Sequence, residues 1–279
     1  MFDPADLINL KRYPISEKGP QLDAVTKQIQ SDLEQDGCAV LRGFLTQEGI
    51  DALLAEAESV RDRGHRSFNR TNPYFTQDDP ALPPDHPKRR YFERSNNFIA
   101  ADNFQIGGAL RSIYHHPHFS PFVQACLREE KFFPYADPLA DVIVNMAEAG
   151  NGFPWHFDTN NFTVTLAIQN AQEGGQFEYA PNIRRNDENF AEVAQVLDGS
   201  SKRVVSLRLE PGDLQLFKGR YSLHRVAPLR GSTPRYVAIL SYVDQPDMVA
   251  TPERCKQLYG RALPIHYQRA GLRSDEFID

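Results

Sequence analysis

The sequence predicts a mainly β fold with flanking helices, and two observations carry that expectation. Between residues 139 and 243, short β-branched or alternating runs follow one another (139–147, 162–170, 203–209, 214–218, 222–227 and 235–243), separated by glycine and proline turns. Before and after them, apolar residues recur at helical spacing. A length of 279 residues favours one domain over two small ones. The expected division is a helical support and substrate-loop region over 1–135, a β core over 136–245, and a C-terminal helix and tail over 246–279.

Taken in order, 21–35 carries Leu22, Val25, Ile29 and Leu33 at helical spacing, with Gly37 as its stop. A strand is expected over 38–45, then a second helix opening at Thr46-Gln47-Glu48 and running to about Arg61. Residues 64–100 are rich in Pro, Asp, Asn and Arg; a long irregular stretch of this kind is a lid or binding loop, or else disordered. His115, His116 and His118 look like a metal cluster, but adjacent histidines do not converge easily on one ion, so a turn with exposed imidazoles is expected. The strand 139–147 leads through a glycine-rich turn at 148–153 to His156. A glycine turn at 173–175 enters another strand, 186–198 reads as a helical insertion ending at Gly199, and 252–259 reads as a helix.

A net charge of -6 and a pI near 5.8 provide no positive field for a nucleic acid. The first residues lack a basic and apolar signal segment, and no apolar run is long enough to cross a bilayer, so a cytoplasmic protein without a membrane partner is expected. Cys38, Cys126 and Cys255 are odd in number and widely spaced, which reads as buried thiols.

The strongest chemical signal is Trp155-His156-Phe157-Asp158-Thr159-Asn160, where a histidine and a carboxylate project together from an expected strand end. A further histidine, His224, follows 68 residues later. Two imidazoles and one carboxylate form the three-ligand face that holds a redox iron and leaves the opposite positions open. With eight histidines in the chain, H-x-D alone is a weak signal, and the strand and turn context carries the reading. Arg235 opens the strand after His224, and a guanidinium there is the natural fork for a carboxylate beside the metal.

The series H-F-D at 156–158, E-G-G-x-F-E at 173–178, P-G-D-L-Q-L-F-x-G at 211–219, S-L-H-R-V at 222–226 and R-Y-V-A at 235–238 resembles the Fe(II)/2-oxoglutarate-dependent dioxygenases. More narrowly, H-F-D-T-N-N-F-T-V-T-L with E-G-G-Q-F-E-Y-A-P-N-I-R is similar to the group containing the radical halogenases and hydroxylases of free amino acids. The likeness is strong over the second half of the chain and loose over the first. It implies a double-stranded β-helix, or jelly roll, with iron at one mouth.

The resemblance also implies roles. His156, Asp158 and His224 would hold Fe(II), and Arg235 would pair with the distal carboxylate of 2-oxoglutarate, aided by a hydroxyl of Thr165 or Ser222. O2 would be the other co-substrate, with release of succinate and CO2. In the halogenating members the aspartate position is glycine or alanine, which leaves a coordination site for halide; Asp158 therefore implies hydroxylation. Arg94 is the match for the arginine that meets the substrate carboxylate, and Trp155, Thr159, Ser241 and Tyr259 are the other candidate substrate contacts. The resemblance and Arg94 imply a small free amino acid or related carboxylate, while Phe153 and Thr159 stand where the lysine-acting relatives carry polar or charged contacts, a departure that counts against lysine itself. A homodimer is the default assembly for a soluble enzyme. Desaturation would use the same ligands. A non-catalytic jelly-roll binding module is another class open to these residues. So is a Zn(II) hydrolase, although it needs no dicarboxylate clamp at Arg235.

Overall fold

In the computed structural model, which describes residues 2–269, two antiparallel sheets border a common cavity. The larger runs in the order Cys38–Leu41, Leu214–Phe217, Thr163–Gln169, Arg235–Leu240, Val142–Ala147, Phe92–Ile99, His65–Thr71. The smaller runs Val205–Leu207, Phe177–Ala180, Leu223–Val226, Phe153–His156. The end of the expected tail, 270–279, lies outside the described residues.

Strand alternation decides which side chains reach the cavity. On the large sheet, Val144, Val164, Leu166, Leu216 and Ala238 pack with Leu33, Leu53, Leu110 and Phe119 from the helices in one buried cluster. Each such Leu or Phe contributes about 1.5–3 kcal/mol by leaving water. Their chain neighbours Asn145, Thr165, Gln215, Val237 and Ile239 face the cavity. Both faces are covered, so Val142–Ala147 is buried at every position and reads as a continuous apolar run.

The expected helices form. Pro20–Asp36 ends at Gly37, whose φ of 66° suits glycine and whose N–H donates to Leu33 O. Gln47–Ser59 starts where the Thr46 hydroxyl accepts from Gly49 N at 3.0 Å. The expected strand 38–45 stops at Leu41, because Gly43 turns the chain at φ 59°.

The reading of 64–100 as irregular does not hold. His65–Thr71 and Phe92–Ile99 pair as two added strands of the large sheet, from His65↔Phe98 to Thr71↔Phe92. His65–Thr71 is the sheet's last strand and buries none of its residues fully, so it shows no apolar alternation to read. The connection between the two strands is ordered around Asn72, which is 1% exposed. Its Oδ1 accepts from Tyr74 N and Thr76 N, while Nδ2 donates to Thr76 O and Lys88 O. Among the described residues, no helix is long and apolar enough to cross a membrane.

Candidate active site

Strand pairing brings the two histidines of the motif together. His156 ends Phe153–His156, and its register partner on Leu223–Val226 is His224. Both line the cavity, with ring centroids 4.2 Å apart. His156 Nδ1 donates to Pro154 O at 2.7 Å and His224 Nδ1 to Ser222 O at 2.9 Å, which leaves each Nε2 as an acceptor. Asp158 Oδ1 lies 3.7 Å from His156 Nε2 and 3.3 Å from His224 Nε2. Its Oδ2 accepts from Thr163 Oγ1 at 2.6 Å, and its backbone N–H donates to Gly219 O.

Three acceptor atoms thus lie within 4.8 Å of one another, and a cation relieves that arrangement. Burial first, then His224 and Arg94, disfavour the imidazolium form of His156. Burial alone would raise the Asp158 carboxyl, but His224, His156 and the Thr163 hydroxyl hold it below the usual carboxylate range. A neutral His156 imidazole beside an ionised Asp158 carboxylate matches the protonation states that a divalent iron site requires.

A second buried group of similar composition, Asp137, Cys255 and His266, differs in its protons. His266 Nδ1 accepts from Leu263 N at 2.8 Å, so Nε2 carries the hydrogen and donates to Asp137 Oδ1 at 3.1 Å. Asp137 also accepts from Leu139 N and Ala250 N. This cluster is a hydrogen-bonded hub that fixes the C-terminal helices to the core.

Gly219 is a site residue whose reason the sequence did not disclose. A Cβ at this position would overlap Asp158 Oδ2. Gly219→Ala is therefore expected to displace the carboxylate and weaken Fe(II) binding by about 10–100-fold, the usual effect of disturbing an outer-shell partner. Anaerobic Fe(II) titration reads this, and unchanged affinity would remove Gly219 from the site.

Arg235 begins Arg235–Leu240 and is buried at the cavity wall. Burial alone pushes its guanidinium down to about 10, and among the described residues no carboxylate pairs with it. Thr165 lines the same cavity and donates to Gln215 Oε1 at 3.1 Å.

Of the expected substrate contacts, Arg94, Thr159, Ser241 and Tyr259 line the cavity. The Arg94 guanidinium lies 4.8 Å from the Phe75 ring centre and 5.2 Å from that of Phe153. Burial first, then Asp137, pushes the Tyr259 phenol up. Two expected contacts are elsewhere. The Ser222 hydroxyl accepts from Asn182 N at 3.0 Å outside the cavity lining, so Ser222 serves the site through its carbonyl on His224. Trp155 alternates with His156 along the strand and so faces away from the cavity, packing with Phe157, Val193 and Leu223 beneath Arg225.

Phe75, Asn145 and Arg254 also line the cavity and were not anticipated. Phe75 adopts φ 56°, rare for a large side chain, in the loop that Asn72 organises. Proline and asparagine density marked that loop, but not which residue would turn inward.

The sequence model of a family described as Halogenase D matches residues 22–259. No curated protein matches the chain by sequence. Among solved structures, the chain is similar to the α-ketoglutarate-dependent epimerase SnoN from nogalamycin biosynthesis, at 16% identity and a TM-score of 0.56, covering 80% of this chain and 83% of that one. SnoN is also solved in complex with Fe3+, α-ketoglutarate and nogalamycin RO. The α-ketoglutarate-dependent carbocyclase SnoK matches at 15% identity and 0.55, over 78% and 83% of the two chains. AviO1 from Streptomyces viridochromogenes Tue57 matches at 17% and 0.55, over 81% and 98%. The shared fold is the jelly roll of the 2-oxoglutarate oxygenases.

Proposed function

This chain belongs to the halogenase D family, and from that premise we propose that it is an Fe(II)- and 2-oxoglutarate-dependent dioxygenase that hydroxylates an unactivated C–H bond of a small amino acid or related carboxylate. The observation that carries the reading is the convergence of His156, His224 and the ionised Asp158 on one point in the cavity. The three donors suit Fe(II), which with 2-oxoglutarate and O2 supplies the oxidising power to replace C–H by C–OH while succinate and CO2 leave.

The rest is the work of the chain. His156 and His224 keep their Nε2 lone pairs inward because both Nδ1 hydrogens are spent on carbonyls. Asp158 fills the place that a halide would need, and Thr163 holds it there. That favours hydroxylation within a family named for halogenation. Arg235 offers two parallel N–H donors to the distal carboxylate of 2-oxoglutarate, and a buried guanidinium suits that pairing better than a lysine would. Arg94, fixed between two phenyl rings, orients the substrate carboxylate. Phe75, Phe98, Phe153 and Ile143 make the remaining wall apolar and limit water near the reacting carbon.

The test is succinate formation by iron-loaded protein given O2, 2-oxoglutarate and a panel of free amino acids, read together with product mass. A substrate-dependent rise in succinate with a product heavier by one oxygen is expected. Iron-replete protein that consumes no 2-oxoglutarate with any amino acid would contradict the reading.

A further inference from the structure

We propose that Phe75 sets the size limit of the substrate: its ring closes the catalytic cavity against an adjoining one, so the protein takes a free amino acid and excludes one whose carboxyl group is extended through a peptide bond. This deepens the oxygenase reading and rests on it.

Two cavities meet at Phe75. The central cavity, of about 280 Å³, holds the metal face, and the second, of about 200 Å³, is bordered by Asn69, Thr71, Tyr91 and Gln257. Phe75, Arg94 and Arg254 border both and so make the partition. The Phe75 ring centre lies 5.7 Å from that of His156 and 4.8 Å from the Arg94 guanidinium. The ring therefore reaches from the boundary to a residue of the metal face.

Phe75 is a fixed wall, because the loop that carries it is tied down on both sides. Asn72 Oδ1 accepts from Tyr74 N at 2.9 Å and Thr76 N at 3.1 Å, and Phe75 N donates to Asn72 O at 3.2 Å. Pro73 O accepts from Phe157 N at 2.9 Å, which joins the loop to the residue between His156 and Asp158. The Tyr91 hydroxyl donates to Thr76 O at 3.0 Å. These bonds hold Phe75 at φ 56°, a conformation that a large side chain keeps where its surroundings over-determine it. Arg254 can move aside on a long side chain, whereas a phenyl ring with two torsions on a pinned backbone cannot.

The direction of the block follows from Arg94. On the oxygenase reading Arg94 orients the substrate carboxylate, and it sits at the partition against the Phe75 ring. Atoms added beyond the carboxyl group run into that ring, which occupies space and offers no hydrogen bond. Room on the near side is short. The central cavity also takes 2-oxoglutarate on that reading, and its 280 Å³ already lies below the roughly 300–1,000 Å³ of pockets that accept drug-sized ligands. Beyond the ring, Asn69, Thr71, Gln77 and Gln257 carry amide and hydroxyl groups, which suit a peptide unit once the ring is gone.

Calorimetric titration tests this on Fe(II)-loaded protein under anaerobic conditions, saturated with N-oxalylglycine so that the Arg235 end is filled. The probes are L-norleucine, L-glutamine, L-glutamate and L-lysine, each paired with its dipeptide carrying a C-terminal glycine. Wild type is expected to bind at least one free probe, and the matching dipeptide about tenfold or more weaker, the clash with Phe75 supplying the difference. Glycine tolerates φ 56°, so Phe75→Gly removes the ring without straining the loop. That variant is expected to bring the ratio of the two affinities to about one. Retained N-oxalylglycine binding identifies a variant whose metal face is intact; should Phe75→Gly lose it, Phe75→Leu carries the comparison, with a smaller ratio than wild type expected. Wild type that binds a dipeptide as tightly as its free amino acid, or that binds none of the free probes, would overturn the proposal. So would a ratio that the variants leave unchanged, or loss of N-oxalylglycine binding in both, which would make Phe75 a structural support alone. Wild-type protein that binds iron but not N-oxalylglycine overturns the oxygenase reading, and this proposal with it.

Discussion

Asp158→Ala is expected to lower product formation at saturating iron by at least about 100-fold, because outer-shell partners alone are commonly worth 10–100-fold and on the proposed reading this residue is itself a metal ligand. The loss has two sources. The donor set falls to two neutral imidazoles, and the negative charge that balances the cation disappears from a buried place where little solvent replaces it. Thr163 Oγ1, which donates to the carboxylate at 2.6 Å, loses its acceptor as well. Fold stability is expected to change little by comparison, since the cluster that binds sheet to helices lies on the opposite face of the large sheet. Product formation by variant and wild type at matched iron content makes the comparison. Full turnover by Asp158→Ala would remove the carboxylate from the metal face.

Arg235→Met is expected to raise the KM for 2-oxoglutarate by about 100-fold, the order expected when one partner of a buried charge pair is removed, while kcat at saturating co-substrate falls much less. The guanidinium is inside the protein, where burial pushes it down to about 10; at neutral pH it is still charged, and an arriving carboxylate offsets the cost of keeping it so. Arg235→Lys is expected to recover only part of the affinity, because an ammonium lacks the two parallel donors. Steady-state kinetics over 2-oxoglutarate concentration separates the cases. An unchanged KM would place the co-substrate elsewhere.

How much of this was legible in the sequence depends on whether the signal was local. The H-F-D strand end, the turn at Gly212 and the strand carrying His224 were readable because alternation and turn residues are local properties. Their convergence follows from a register that pairs His156 with His224, which only the sheet decides. Trp155 was misassigned as a contact although the strand's period of two already sends it opposite to His156. Ser222 shares the parity of His224, but its hydroxyl is spent on Asn182, 40 residues away in sequence. The hairpin within 64–100 was missed because an exposed end strand has no apolar face to show. The helix over 252–259 was legible, but nothing local to it marked Arg254 as a residue of the cavity wall.

The most direct measurement of the central claim is turnover under 18O2 of whichever amino acid in the panel raises succinate, with mass spectrometry of both products. The account predicts one labelled oxygen in succinate and one in the new hydroxyl. A product formed without succinate, or a hydroxyl whose oxygen comes from water when succinate is labelled, would contradict it.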